Sequence, residues 1–135
     1  MGCYAVLKQE FDSTEIHYNE LGNTTMELFQ TEKTAGQIRM VLGFNGPDDT
    51  HPWLKSWSLG EFPKEKTAAA LIACNNVNKD YRWIRFYLDD ENSVVAAADL
   101  IVDELNVVEK VIEMVFRMAS IIDAAYPVFM KARWA

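Results

Sequence analysis

Apolar and polar residues alternate in three stretches of the first half of the chain, which is the pattern of half-buried β-strands. The three predicted strands span 24–32, 37–44 and 53–60. In the first strand Met26, Leu28 and Gln30 take one face and Glu27, Phe29 and Thr31 take the other. In the second strand Ile38, Met40 and Leu42 are expected to face inward. The residues expected to share a face of the third are Trp53, Lys55, Trp57 and Leu59. Short links between consecutive strands favour an antiparallel meander.

Two further strands are predicted in the second half, over 80–88 and 93–101, around an acidic turn at 89–92. The first is rich in β-branched and aromatic residues. Its alternation predicts one face of Ile84, Phe86 and Leu88, and an opposite face of Tyr81, Trp83, Arg85 and Tyr87. The second strand is apolar on both faces, which predicts a central strand or one covered on both sides.

Helical spacing predicts two helices outside the strand regions. Residues 3–11 form a short amphipathic helix with one apolar stripe. Pro63 suits the first turn of a second helix, and three asparagines near residue 78 suit its end. The face expected to be buried combines Ala68, Leu71, Ile72 and Asn75 with Ala70, Cys74 and Val77.

A long C-terminal helix is predicted after Asn106, which stands at capping-box spacing from Glu109. Its apolar stripe comprises Val108, Val111, Ile112, Val115, Met118, Ile122, Ala125, Tyr126 and Phe129. Because further apolar residues lie outside this stripe, the helix has more apolar surface than one sheet covers. Pro127 is expected to kink or weaken its last turns.

The elements follow one another in the order α-βββ-α-ββ-α. This order predicts an α+β domain with an antiparallel five-stranded sheet and helices packed on one face. The chain of 135 residues, half of them hydrophobic, is long enough for one core, so residues 1–135 are expected to form a single domain. The stretch 15–21 is ambiguous, and Ile16 and Tyr18 also fit a short strand.

The formal net charge of −7 disfavours binding to nucleic acid, which depends on neutralising phosphates. The N-terminus lacks the basic and apolar regions of a signal peptide, and no apolar run approaches the length of a membrane span. The two cysteines, Cys3 and Cys74, lie far apart, which favours reduced thiols, although one disulfide is possible. We therefore expect a cytoplasmic protein that contacts neither membrane nor nucleic acid.

At this point the chain resembles the bacterial YbjN-domain family, whose fold is that of type III secretion chaperones. The resemblance covers nearly the whole chain. It rests on the helix ending at 74–78, the strand 83–89, the acidic turn, the return strand ending at Asp99-Leu100 and the helix after Asn106. It implies a small acidic homodimer that holds an extended segment of another protein. YbjN-like proteins have no established catalytic residues to carry over.

The side chains that usually carry chemistry do not cluster in the sequence. His17 and His51 stand in different segments without a cysteine or carboxylate at ligand spacing. The acidic pairs 48–49 and 89–91 lie in predicted turns, where aspartate favours the backbone geometry. No glycine-rich loop follows a strand, and no serine has a nearby histidine base. We therefore expect no enzyme activity, no metal and no cofactor.

Five aromatic residues on two predicted strands could share one sheet face: Trp53, Trp57, Tyr81, Trp83 and Tyr87. Rigid aromatic side chains with polar edges are enriched in binding surfaces, so these residues are the predicted partner-binding site. The alternative is that they pack under a helix or in a dimer interface.

The sequence therefore favours a non-enzymatic protein-interaction domain, homodimeric, with a chaperone-like or adaptor role. One alternative is a small-ligand-binding or enzymatic domain with a pocket between the sheet and the C-terminal helix. Another is a structural subunit of a larger assembly. The sequence identifies no particular partner, ligand or pathway.

Overall fold

The computed structural model describes all residues from Met1 to Ala135. The helices are α1 (Cys3–Ser13), α2 (Thr67–Asp80) and α3 (Val107–Trp134). The strands are β1 (Asn19–Gly22), β2 (Thr25–Glu32), β3 (Gly36–Gly43), β4 (Trp53–Ser56), β5 (Arg85–Leu88) and β6 (Val94–Asp99). A single 3-10 turn, Lys64–Lys66, leads into α2.

The six strands form one antiparallel sheet in the order β1-β2-β3-β4-β6-β5. The predicted α+β class, the antiparallel sheet and the three helices are therefore confirmed. The predicted number of five strands is wrong, because β1 pairs with the start of β2, where Asn19 lies opposite Glu27. All four residues of β1 are exposed, so the strand carries no apolar alternation by which it could be recognised.

The hydrophobic core lies on one face of the sheet, under the three helices. The inward positions predicted for β3, Ile38, Met40 and Leu42, are all buried in this core, and Met26 and Leu28 of β2 are buried with them. Tyr4 of α1 meets Phe44 at the end of β3, with ring centroids 5.5 Å apart. Phe129 of α3 meets Phe86 of β5, also at 5.5 Å. The opposite face of the sheet carries no helix.

Two predicted strands are shorter than the alternation indicated. The third ends at Ser56, and a turn with Gly60 at φ 81° follows it, so Leu59 is buried rather than sharing a face with Trp57. The strand predicted from residue 80 begins at Arg85, because α2 continues to Asp80. Its inward residues Ile84 and Phe86 are buried, as predicted.

The buried face of α2 differs from the predicted one. Helix α2 buries Ala70, Ala73, Cys74 and Val77, the i, i+3, i+4, i+7 pattern of a single stripe. Small side chains in this stripe let the helix lie close to its neighbours. Leu71 and Ile72 are displaced from the stripe and are 52% and 62% exposed. The helix begins at Thr67 rather than at Pro63, because the 3-10 turn takes up the residues between them.

Helix α3 runs for 28 residues and continues through Pro127. Asn106 makes no side-chain cap to the helix. Its amide oxygen instead accepts the backbone N–H of Asp103 at 2.8 Å, so the predicted capping box is not formed. Further along α3, the carboxylate of Asp123 accepts the backbone N–H groups of Thr34 and Ala35 at 2.7 and 2.6 Å. This contact holds the β2–β3 turn against α3.

Candidate interaction surfaces

The helix-free face of the sheet is one surface on which functional residues could lie. Strand alternation places Trp53 and Lys55 of β4 and Tyr87 of β5 on this face, and Trp57 follows directly after β4. The first three side chains are half-buried, and Trp57 is 39% exposed. This face therefore brings together Trp53, Trp57 and Tyr87 of the five aromatic residues predicted to bind a partner.

The position of Trp53 depends on a glycine in the neighbouring strand. Gly43 lies opposite Trp53 in the register, and a Cβ atom at Gly43 would lie 2.2 Å from Trp53 Cζ2. The indole ring therefore lies across the bare backbone of β3. The Lys55 Nζ stands 5.0 Å from the centroid of the same ring, a cation–π distance. The result is a flat aromatic surface with a positive charge beside it.

Long polar side chains screen the middle of the helix-free face. Val95 and Ala97 of β6 point to this face and are fully buried although no helix covers them. Ala97 lies between Lys55 and Arg85 in the register, and Arg85 forms an ion pair with Asp99 at 2.9 Å. Strand β6 is thus covered on both sides. The helix layer covers one side, and amphipathic side chains cover the other.

Tyr81 and Trp83 do not lie on the helix-free face, so the expectation that all five aromatic residues share a face is wrong. Both stand in the connection between α2 and β5. Trp83 has φ 77°, a left-handed conformation that is rare for a bulky residue and breaks the strand alternation there. Its indole is 62% exposed and lies 5.6 Å from the Arg117 guanidinium. An open depression of about 740 Å³ separates this connection from α3.

A third surface is formed by the outer sides of α2 and α3. Exposed Ile72 of α2 lies on this side, with exposed Val128 on α3. A groove of about 390 Å³ runs between the two helices, and its lining includes Ile72, Val128 and the alanines Ala69, Ala73 and Ala132. Lys66 and Lys131 also line it. Small side chains along such a groove allow another chain to approach the helix backbones closely.

An apolar pocket of about 130 Å³ lies between the sheet and α3. Its lining comprises Phe11, Ile16, His17, Leu28, Phe29, Gln30, Ile112, Val115 and Phe116. Only His17 and Gln30 among them are polar, and His17 is exposed. This is the place where the sequence suggested a ligand site, but its volume is far below the ~300–1,000 Å³ of ordinary small-molecule sites.

The cysteines are protected rather than activated. Cys3 and Cys74 are both buried free thiols. Burial raises the pKa of Cys74 to about 11 and also raises the pKa of Cys3, to which nearby carboxylates add. Because the thiolate is the reactive form, neither residue is prepared for nucleophilic chemistry at neutral pH.

The acidic pairs serve the turns, as the sequence predicted. The Asp49 carboxylate accepts the backbone N–H groups of Asn45 and His51, both at 2.9 Å, and these bonds lower its pKa. Asp89 accepts the N–H groups of Glu91 and Ser93 in the same way. No three His, Cys, Asp or Glu residues converge in a geometry that would hold a metal ion.

Sequence reasoning missed the exposure of several apolar residues. Ile72 was expected to be buried and is 62% exposed, and Phe116, an apolar residue outside the predicted α3 stripe, is 54% exposed. It also missed Arg133, whose guanidinium donates to the carbonyls of Leu59 and Glu61 at 2.8 and 2.9 Å. A single arginine in a helical pattern carries no signal for such a long-range contact.

The fold and these surfaces define an α+β domain with several exposed apolar and aromatic side chains. The chain belongs to the YbjN family: the family model described as "Putative bacterial sensory transduction regulator" matches residues 6–131. The resemblance noted in the sequence is thereby confirmed at the level of the family. No curated protein is similar enough in sequence to count as a match. None of the three helices has the length and apolar composition that a membrane crossing needs.

Proposed function

We propose that this chain is a non-enzymatic protein-interaction domain that acts as a homodimer in a chaperone-like or adaptor role. The observation that carries the proposal is the distribution of exposed apolar side chains. Leu71, Ile72, Trp83 and Phe116 are each more than half exposed. Trp83 and Phe116 line the open depression beside α3. Such surfaces are typical of sites that bind another protein. The family description, which concerns regulation, is compatible with this role.

The surface proposed for the dimer is the outer side of α2 and α3. Ile72 and Val128 supply exposed apolar area, and the alanine-lined groove between the helices offers close approach. Strand β6 contributes no apolar surface to a dimer, because Val95 and Ala97 are already buried within one chain. The excess apolar surface of α3 remains, and the exposed residues of α2 extend it.

The dimer is tested by multi-angle light scattering at micromolar concentration. The wild-type chain is expected to elute with twice the mass of one chain, and Ile72→Glu is expected to elute as a monomer. Phe116→Glu is the matched control, because it makes the same change at a similarly exposed position of α3 outside the proposed interface. A monomeric wild type, or an Ile72→Glu variant that stays dimeric, would contradict the proposed interface.

The surface proposed for another protein is the helix-free face with Trp53, Trp57 and Tyr87. Flat aromatic side chains beside Lys55 match the composition of binding hot spots. Tyr81 and Trp83 form a second candidate contact next to Arg117. A tagged pull-down with Trp57→Ala and Trp83→Ala separates the two surfaces. If only one variant loses a stoichiometric partner, the substituted tryptophan lies on the surface that binds this partner. Retention of the partner in both variants would overturn the proposed role of these aromatic residues.

The alternative of a small-ligand-binding or enzymatic domain has less support. The pocket between the sheet and α3 has a volume of about 130 Å³, and its lining offers few polar groups to orient a substrate. The neighbouring depression is larger but open. Thermal-shift screening with metabolites tests this alternative. A saturable rise in Tm with one compound, abolished by a substitution in the pocket, would favour it over the interaction domain.

A further inference from the structure

The loop between β3 and β4 contains an asparagine followed directly by a glycine, at residues 45 and 46. Strand β3 ends at Gly43 and β4 begins at Trp53, so this loop covers residues 44–52. None of the other asparagines in the chain is followed by glycine. Because glycine has no side chain to shield its backbone nitrogen, that nitrogen easily reaches the side-chain carbonyl of a preceding asparagine. Such a pair is chemically disposed to lose the asparagine amide.

The structure leaves both reacting groups of this pair without partners. Asn45 is exposed, and its side-chain amide makes no hydrogen bond within the chain, although its backbone N–H donates to the Asp49 carboxylate at 2.9 Å. The Gly46 N–H donates to no acceptor in the chain. Gly46 has φ 92°, and nothing lies within 4 Å of the position that a Cβ atom would take there. The side-chain amide can therefore rotate toward the Gly46 nitrogen.

Asn92 provides the contrast, because it is followed by Ser93, the smallest residue that follows any other asparagine. The Asn92 Nδ2 donates to the carbonyls of Phe62 and Pro63 at 2.9 and 3.3 Å. The Ser93 N–H donates to the Asp89 carboxylate at 2.9 Å. Both reacting groups are thus held in hydrogen bonds, which have to break before they can meet.

The other asparagines are protected by larger neighbours or by helical hydrogen bonds. Asn19, Asn23 and Asn106 are followed by glutamate, threonine and valine. The asparagines at 75, 76 and 78 lie inside α2, where the N–H group of each following residue is used by the helix. Asn45 is therefore the one asparagine at which sequence and structure both favour the reaction.

We propose that Asn45 is a site of spontaneous deamidation in the folded protein. The Gly46 nitrogen loses its proton to solvent base and attacks the side-chain carbonyl carbon of Asn45. A C–N bond forms, the bond to the amide nitrogen breaks, and this nitrogen takes a proton from solvent and leaves as ammonia. The product is a succinimide ring. Water opens the ring at either carbonyl and returns a proton to the Gly46 nitrogen, which gives aspartate or isoaspartate at residue 45.

Both products change the loop in which they form. The Asp49 carboxylate holds this loop by accepting the backbone N–H groups of Asn45 and His51, both at 2.9 Å. Either product adds a negative charge beside Asp48 and Asp49, and like charges repel. Isoaspartate also lengthens the main chain by one carbon, because its backbone passes through the former side chain. The reaction needs only water, so it does not depend on the proposed interaction function.

The loop is in direct contact with the start of α1. A Cβ atom at Gly2 would collide with the Pro47 carbonyl oxygen, so the two backbones touch. The Gly2 carbonyl accepts the Val6 N–H at 3.1 Å, next to buried Cys3. We therefore expect the longer main chain of the isoaspartate form to displace Pro47, loosen the first turn of α1 and make Cys3 more accessible.

Peptide mapping by mass spectrometry tests the modification. The purified full chain is kept folded in warm, mildly alkaline buffer, and electron-transfer fragmentation of its digest separates isoaspartate from aspartate. The reference is the synthetic peptide Leu-Gly-Phe-Asn-Gly-Pro-Asp, which copies residues 42–48 and is acetylated and amidated. We expect Asn45 to convert at a rate comparable with that of the peptide, while Asn92 keeps its amide. In concentrated urea Asn92 should begin to convert as well.

Two variants separate the causes. Asn45→Gln keeps an amide but would have to close a larger ring, so residue 45 should stay unmodified over the same interval. Asn45→Asp introduces the charge without lengthening the main chain. A thiol reagent should label Cys3 several-fold faster in aged wild type than in fresh wild type, and should label Cys74 at an unchanged rate. Aged Asn45→Gln and fresh Asn45→Asp should label Cys3 like fresh wild type. The Tm of each sample shows that it is still folded.

Three results would overturn the proposal or part of it. An unmodified Asn45 after the reference peptide has fully converted would show that the folded loop prevents the reaction. Conversion of Asn92 as fast as Asn45 in the folded chain would show that the hydrogen bonds do not decide the site. Equal labelling of Cys3 in aged and fresh wild type, or fast labelling in fresh Asn45→Asp, would refute the effect of isoaspartate on α1.

Discussion

The side-chain amide of Asn78 holds the backbone of Phe86 through two hydrogen bonds. Asn78 Nδ2 donates to the Phe86 carbonyl at 2.9 Å, and the Phe86 N–H donates to Asn78 Oδ1 at 2.8 Å. Strand β5 is at the edge of the sheet, so these backbone groups have no neighbouring strand. A helix side chain thus closes this edge of the sheet.

Replacing Asn78 by alanine is expected to destabilise the fold by ~1–3 kcal/mol. The substitution leaves the N–H and C=O groups of Phe86 without their partners, and a lost partner of a buried group costs about this much. Urea denaturation measures the change. Asn75→Ala on the same helix is the control and should change stability by less than ~0.5 kcal/mol. Equal effects of the two substitutions would show that the Asn78 contact contributes nothing.

Strand β5 directs Phe86 toward the core and its neighbour Tyr87 toward the helix-free face, so alanine substitutions at the two residues should differ in their cost to stability. Phe86 is buried against Phe129, so Phe86→Ala should cost ~3–5 kcal/mol. Ile84→Ala, also at a buried position, should cost ~2–5 kcal/mol. Tyr87→Ala changes the half-buried, helix-free face and should cost clearly less. Chemical denaturation of the three variants measures their unfolding free energies. A larger loss of stability for Tyr87→Ala than for Phe86→Ala would mean that Tyr87, and not Phe86, faces the core.

Gly43 and Trp53 are expected to be energetically coupled. A methyl group at Gly43 would collide with the indole of Trp53, so Gly43→Ala should destabilise the chain by ~1–3 kcal/mol. In a Trp53→Ala background the collision disappears, and Gly43→Ala should then be close to neutral. A double-mutant cycle of unfolding free energies measures the coupling. Additive effects would mean that the ring does not rest on Gly43.

The raised pKa of Cys74 predicts a loss of stability in alkali. Burial raises the pKa of this thiol to about 11 from an unfolded value near 9.0. Its contribution to stability is therefore complete below pH 9 and is lost as the pH rises from 9 toward 11. Unfolding of wild type and Cys74→Ala across this range isolates the effect, because the variant lacks that part of the pH dependence.

The same burial predicts slow labelling of the thiols. A thiol reagent at neutral pH should modify Cys3 and Cys74 only as fast as the chain opens, and should modify both at once in denaturant. Fast labelling of Cys74 in the native protein would contradict its buried position on α2.

The sequence by itself determined most of the elements. Alternation identified β2 and β3, because a strand with one buried face repeats its apolar residues at every second position. A continuous apolar run identified β6, which is buried on both faces. The long apolar stripe identified α3, because a helix with one buried face repeats its apolar residues with a period of 3.6 residues. The family was also recognisable from the sequence, because its helix, strand and turn patterns are local.

The tertiary structure decided where these patterns stop and which surfaces remain exposed. Strand β1 exists only because β2 offers it an edge, and its own residues carry no apolar pattern. Leu71 and Ile72 are exposed because the small residues of the neighbouring stripe approach the core more closely. Trp83 leaves the sheet face because its backbone turns to φ 77° after α2. Each outcome depends on contacts between distant segments, which local periodicity does not contain.

For the candidate surfaces, too, the sequence identified the residues and the tertiary structure decided where they lie. The sequence identified the aromatic residues that could bind a partner, since residue type is enough to recognise them. It could not show that Trp53, Trp57 and Tyr87 lie together while Tyr81 and Trp83 lie elsewhere. Contacts between strands and helices, and not the pattern within one strand, decide on which surface each of these side chains lies.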